Sequence, residues 1–212
     1  MGLIINGVDY PVPDVKVVNW RESGLTWKLG QSGTRIRQNL WWWVWHWTGG
    51  DPSKIDAVGA RGCYNTLTSR GLSIQLFLGY TGVVYQYVDL AWGCAHAGSP
   101  TNDHSIGIEM QNVGHGTPNP KVPRARLPET IHSAVRPTSQ FTSQQLIAAQ
   151  RLREFVGRAY DLGPATLPDA DTISLARRNK HRGDLAHYQI SDAKRDPGTH
   201  FMEHVTEWSK AW

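Results

Sequence analysis

The sequence predicts a mixed α/β fold: one domain, residues 1–212, built on a central mixed β-sheet flanked by helices. Three observations predict it. The chain has 212 residues, 40% hydrophobic and 19% charged, enough for one substantial core and ordinary for a globular protein. Strand-like and helix-like hydrophobic periods alternate along it. No internal repeat breaks it into arrays, and its length favours one domain over two.

Taken in order, residues 1–40 carry short apolar patches, Leu3-Ile4-Ile5 and Val15 to Val18, interrupted by Pro11, Pro13 and several glycines. They read as edge strands and loops, an N-terminal extension. Trp41 to Thr48 is Trp-Trp-Trp-Val-Trp-His-Trp-Thr, apolar on both faces as a covered central strand requires. Asp51 then suits an N-cap with Pro52 at the first helical position, predicting a helix to about Arg70. Ser73 to Leu78 and Val83 to Val88 flank Gly79-Tyr80-Thr81-Gly82 and read as a β-hairpin. From Ser105 to Gln111, Ile106, Ile108 and Met110 face one way while Ser105, Gly107, Glu109 and Gln111 face the other, the period of a strand. Residues 113–140 are rich in Pro, Gly and polar residues and read as a long surface insertion. Thr142 and Gln145 form a capping-box pattern ahead of Leu146, Ala149, Leu152, Phe155, Val156 and Tyr160 at helical spacing. A short helix over Phe201 to Trp212 closes the chain.

A formal charge of +4 and a pI near 9.2 suit a protein that approaches an anionic surface, though the 22 Lys and Arg are dispersed and form no nucleic-acid arm. No stretch is long enough to span a bilayer. The N-terminus has neither a basic region nor a sustained apolar one, so no secretory signal is expected. Cys63 and Cys94 define no disulfide framework and are expected to be free thiols.

The densest chemistry lies from His187 to Gly198. His187 and Asp196 are usual zinc-ligand types. Lys194 and Asp196, two apart in an extended chain, enter one cavity while Arg195 points away. Pro197 pushes Asp196 toward an extended conformation, and Gly198 permits a sharp turn. Alone, the loop reads equally well as a solvated basic loop with one paired carboxylate. His46 offers a third imidazole, although a lone strand histidine is more often a hydrogen-bonded core residue.

The combination, in order, is His46-Trp47-Thr48 after an apolar strand, Ala91-Trp92 shortly before His96-Ala97-Gly98, Ser105 to Glu109, then His187 with Lys194-Arg195-Asp196-Pro197-Gly198. Over roughly residues 41 to 201 it resembles the zinc-dependent N-acetylmuramoyl-L-alanine amidases related to peptidoglycan recognition proteins, including many phage lysins. The resemblance implies the fold of that family, a Zn2+ cofactor on His46, His187 and Asp196, Glu109 as the carboxylate that moves the water's proton, and Lys194 beside the developing oxyanion. It places His96 and Thr48 beside the substrate; His96 reads as well as a residue that supports a metal ligand from behind, and Thr48 equally reads as satisfying backbone. His181 is the rival to His187.

The nine-residue step from His187 to Asp196 is one shorter than the family's. Ile74-Gln75 stands where some relatives carry Tyr or Tyr-His. The implied partner is peptidoglycan or a muropeptide, with no nucleic acid and no membrane insertion, the protein acting as a monomer. The expected setting is a lysin made in the host cytoplasm and released onto the wall; a muropeptide-recycling amidase and an inert peptidoglycan-binding module are the alternatives.

Overall fold

The structure, a computed structural model, describes residues 1–27, 40–50, 54–118 and 120–210. Strands β1 (Leu3–Ile5) and β2 (Val8–Tyr10) form an antiparallel ribbon, followed by β3 (Val17–Val18) and a one-turn helix α1 (Trp20–Ser23). The tryptophan run forms β4 (Trp42–Trp47), and α2 (Ala57–Ser69) follows it. The expected hairpin is β5 (Leu76–Leu78) with β6 (Val84–Gln86), and the alternating stretch is β7 (Ser105–Met110). Next come β8 (Arg126–Ile131), β9 (Ala134–Ser139), α3 (Ser143–Tyr160), α4 (Leu175–Arg178), β10 (Gly183–Ala186) and α5 (Thr199–Ser209).

Six strands make the main sheet in the order β10-β4-β7-β5-β6-β3. β10, β4, β7 and β5 run parallel, and β6 is antiparallel to β5. Both faces are covered, which is why β4 needs no polar residue before its end. On one face Trp43 and Trp45 pack with Ile106, Ile108, Leu152 and Val156 and with Phe201 and Met202 of α5. On the other, Trp42 and Val44 meet Ala97, Ile173 and Leu185, and α2 packs Ala60 and Leu67 over Phe77 and Tyr87.

Two expectations need correction or restriction. The long surface insertion expected over residues 113–140 contains regular structure that its composition did not show, the β8–β9 ribbon, whose Ile131, Thr138 and Ser139 are buried. The edge strands expected within residues 1–40 are present as β1 and β3: β3 joins the main sheet at its edge, and Leu3 and Ile4 are fully buried. The Asp51–Pro52 helix start lies outside the described residues, and helix α2 itself begins at Ala57. The capping box of α3 is present: Thr142 Oγ1 accepts from Gln145 N at 3.1 Å and Gln145 Oε1 accepts from Thr142 N at 3.1 Å. Among the described residues no helix is long and apolar enough to cross a membrane.

Candidate active site

Parallel neighbours deliver their C-terminal ends to the same edge of a sheet, where open α/β folds place ligands. Here the ladder pairs His46 of β4 with Glu109 of β7, and Trp45 with Ala186 of β10. His187, one residue beyond Ala186, therefore stands level with His46, and His187, His46 and Glu109 form a row across three strands. Alternation along β4 turns His46 to the face of Trp42 and Val44, under α2.

His46 Nδ1 lies 2.9 Å from His187 Nδ1 and 3.3 Å from Asp196 Oδ2, and His187 Nδ1 lies 2.9 Å from the same oxygen. All three side chains are buried. A tetrahedral zinc with bonds of about 2.0–2.2 Å separates its donors by about 3.3–3.6 Å, so these three converge on a site only slightly tighter than the ion needs. Their chemistry fits as well: two imidazoles and one carboxylate, all three lining the cleft.

Burial, then the neighbouring His187, pushes His46 down to about 4 against the opposing pull of Asp196. Burial would raise the Asp196 carboxyl, but His187 and His46 override it and hold it well below the usual carboxylate range. Neutral His46 beside ionised Asp196 is the protonation state that metal ligation requires.

The loop from β10 is closed by Tyr188 N donating to Asp196 O at 3.1 Å. Lys194 and Asp196 both line the cleft, whereas Arg195 turns away and donates to Ile131 O at 2.6 Å. Gly198 is required: its φ is +94°, and a Cβ there would sit 2.6 Å from Glu129 Oε2.

Glu109 lines the same cleft, of about 430 Å³, and its Oε2 is buried with no hydrogen-bond partner among the described residues. Burial and then Asp196 raise its pKa well above the ordinary value, with Lys194 and Arg70 opposing. His96 also lines the cleft, its Nδ1 2.9 Å from His46 Nε2. Thr48 is at the rim; its hydroxyl donates to Asn112 O at 3.2 Å and accepts from Gly50 N at 3.2 Å.

His181 is elsewhere, with Nε2 3.1 Å from Asp184 O. Ile74 and Gln75 are fully buried, and the Gln75 carboxamide accepts from Gly107 N at 2.8 Å, so this pair completes the sheet instead of facing substrate. Cys63 and Cys94 are both free thiols.

Sequence reasoning passed over one wall of the cleft, formed by Gly59, Cys63, Thr66 and Arg70 of α2 and its cap. Their spacing of three to four residues was the available signal.

A model of the N-acetylmuramoyl-L-alanine amidase family matches residues 37–199. No curated protein matches the chain in a sequence search. Among solved structures it resembles Drosophila PGRP-LB at 18% identity, covering 92% of this chain and 94% of that one with a TM-score of 0.57. It resembles the endolysin amidase LysCS of Clostridium intestinale at 14% identity, covering 92% and 95% with a TM-score of 0.51. The E. coli amidase AmiD, in complex with anhydro-N-acetylmuramic acid-L-Ala-D-gamma-Glu-L-Lys, matches at 20% identity over 88% of this chain with a TM-score of 0.53; the chain spans 66% of AmiD's length. With the family model covering most of its length and the donor set in one cleft, the chain belongs to the N-acetylmuramoyl-L-alanine amidase family.

Proposed function

We propose that the protein is a zinc-dependent hydrolase of the amide between the lactyl group of N-acetylmuramic acid and the L-alanine of the stem peptide, acting as a phage lysin. The observation that carries this reading is the His46, His187 and Asp196 donor set in one cleft with Glu109 and Lys194. His46, His187 and Asp196 would hold the metal. The chemistry supplied by zinc in such a site is acidification of water to a pKa of about 7 and polarisation of the carbonyl under attack.

Glu109 takes the proton of the attacking water at its buried carboxylate and later delivers it to the departing L-alanine nitrogen. The raised pKa of its buried carboxyl suits a group that must hold that proton between the two steps. The Lys194 ammonium faces the same space and offsets charge on the tetrahedral oxygen. Thr48 and His96 border the substrate's path, and the substrate is a stem peptide attached to a wall sugar.

The basic balance of the chain and its likeness to a clostridial endolysin amidase support the lysin role. The soluble muropeptide in the AmiD complex supports a second reading, recycling of fragments. Mass spectrometry of digested sacculi tests the reaction: new N-terminal L-alanine on intact glycan strands is expected, and new reducing ends refute it. Clearing of intact sacculi supports the lysin; turnover of soluble fragments alone supports recycling. Purified protein should contain about one zinc per chain and lose activity to chelator, and full activity after complete metal removal would sink the zinc assignment.

A further inference from the structure

His96 uses both ring nitrogens within the protein. Its Nδ1 is 2.9 Å from His46 Nε2, and its Nε2 is 3.1 Å from Ser105 Oγ. Ser105, fully buried, is in turn 2.7 Å from the backbone oxygen of Thr101. A carbonyl oxygen only accepts, so the single hydroxyl hydrogen of Ser105 goes to Thr101, and Ser105 has only lone pairs to offer His96. Nε2 of His96 therefore carries its hydrogen, and the other nitrogen of the neutral ring accepts. The hydrogen on His46 must then sit on Nε2, leaving a lone pair on Nδ1, the atom that faces His187 and Asp196.

The ring of His96 is held for this. Its backbone N and that of Ala97 donate to Asn102 Oδ1 at 3.1 and 2.8 Å. Beneath it Gly107 leaves the space, since a Cβ there would lie 2.7 Å from the imidazole. Period-two alternation puts Ser105 and Gly107 on the β7 face that also carries Glu109, so one strand supplies the relay's anchor, the ring's floor and the carboxylate.

We propose that Ser105 and His96 are positioning residues: a relay from Thr101 O through Ser105 and His96 fixes the tautomer of His46 and presents its Nδ1 lone pair to the metal. The inference rests on the metal centre proposed above, and it gives His96 a task inside the protein beyond contact with substrate. Partners of this kind, which orient a ligating histidine, typically change metal affinity about 10- to 100-fold when removed.

The test uses the full chain. In zinc-depleted wild type with nitrogen-15-labelled histidine, NMR at neutral pH should show His46 protonated on Nε2 and bare on Nδ1; the opposite tautomer overturns the proposal without any variant. Competition with a chromophoric chelator then reads zinc affinity. Ser105→Ala and His96→Ala should each bind zinc about 10- to 100-fold more weakly, with circular dichroism confirming the fold. His96→Gln, whose amide oxygen can accept from His46, should restore binding to within a few-fold of wild type. Wild-type affinity in both alanine variants overturns the relay. A wild type that binds no zinc overturns the metal centre instead, and the NMR result still decides the tautomer.

Discussion

Replacing Arg153 by Met should destabilise the protein severely, and adding Asp184→Asn should undo part of the damage. Arg153, on α3 and 3% exposed, donates from Nε to both oxygens of Asp184 at 2.9 and 3.1 Å, and its terminal nitrogens bond Leu162 O and Gly163 O. Asp184, on β10 and fully buried, also accepts from Trp45 Nε1 at 2.9 Å. The pair thus ties α3 to the two strands that lead into His46 and His187.

Burial raises the Asp184 pKa, and Arg153 and Trp45 lower it without cancelling the rise. The ion pair is therefore no surplus of stability, but one partner left alone is a buried uncompensated charge, a loss of about 3–5 kcal/mol. For a chain of this size that is a fall of about 6–20 °C in Tm. Urea and thermal melts of zinc-depleted protein measure it. An amide in place of the Asp184 carboxylate removes the charge and keeps an acceptor for Trp45, so Arg153→Met/Asp184→Asn should be more stable than Arg153→Met. The pH dependence has a sign too. A carboxyl whose folded pKa exceeds its unfolded one binds more protons when folded, so the Arg153→Met penalty should shrink between pH 7 and pH 5. A double variant no better than the single, or a penalty that grows on acidification, would refute the reasoning.

Glu109→Gln and Lys194→Ala should each retain one zinc yet lose turnover, by about 10²–10⁴ and about 10²–10³ respectively; wild-type rate in either variant, measured on soluble muropeptide, removes that residue from the chemistry. Zinc-depleted protein should lose stability as pH falls from 6.5 to about 4, because the unfolded chain binds the proton that buried His46 refuses. The shift corresponds to about 3 kcal/mol, read as a fall in the urea midpoint that His46→Gln flattens. Equal stability at pH 7 and pH 4.5 contradicts it.

The strands of the site were legible because their signals are local. β4 is a run of side chains that tolerates no solvent, and β7 alternates over six residues. The β8–β9 ribbon was not legible, since its turn puts His132 and Ser133 at φ of 48° and 60° where a two-residue hairpin normally announces itself with Asn-Gly. Pro128 facing Pro137 across the ladder also disguises both strands. The candidate metal ligands came from motif order, not from periodicity, because His46 and His187 meet only through the pairing of β4 with β10. Ser105 stood in the motif order, but the role proposed for it was not legible, because it rests on the contacts of its hydroxyl with His96 and Thr101 O, which only the folded chain brings together.

That dependence on pairing explains the tryptophans. Side chains alternate along a strand, so a one-residue slip of β4 against β7 would turn His46 toward the helices α3 and α5 and bring a tryptophan to the cleft. Trp43 and Trp45, both fully buried on the α3 and α5 side, oppose that slip, because the Trp45 N–H finds its acceptor at Asp184 on the neighbouring strand. The same bond sets β10 against β4, and with it the level at which His187 meets His46. The bulk of the core on one face thus determines the placement of the three donors on the other, and a change that leaves every donor intact but frees Trp45 should weaken zinc binding at the proposed metal centre.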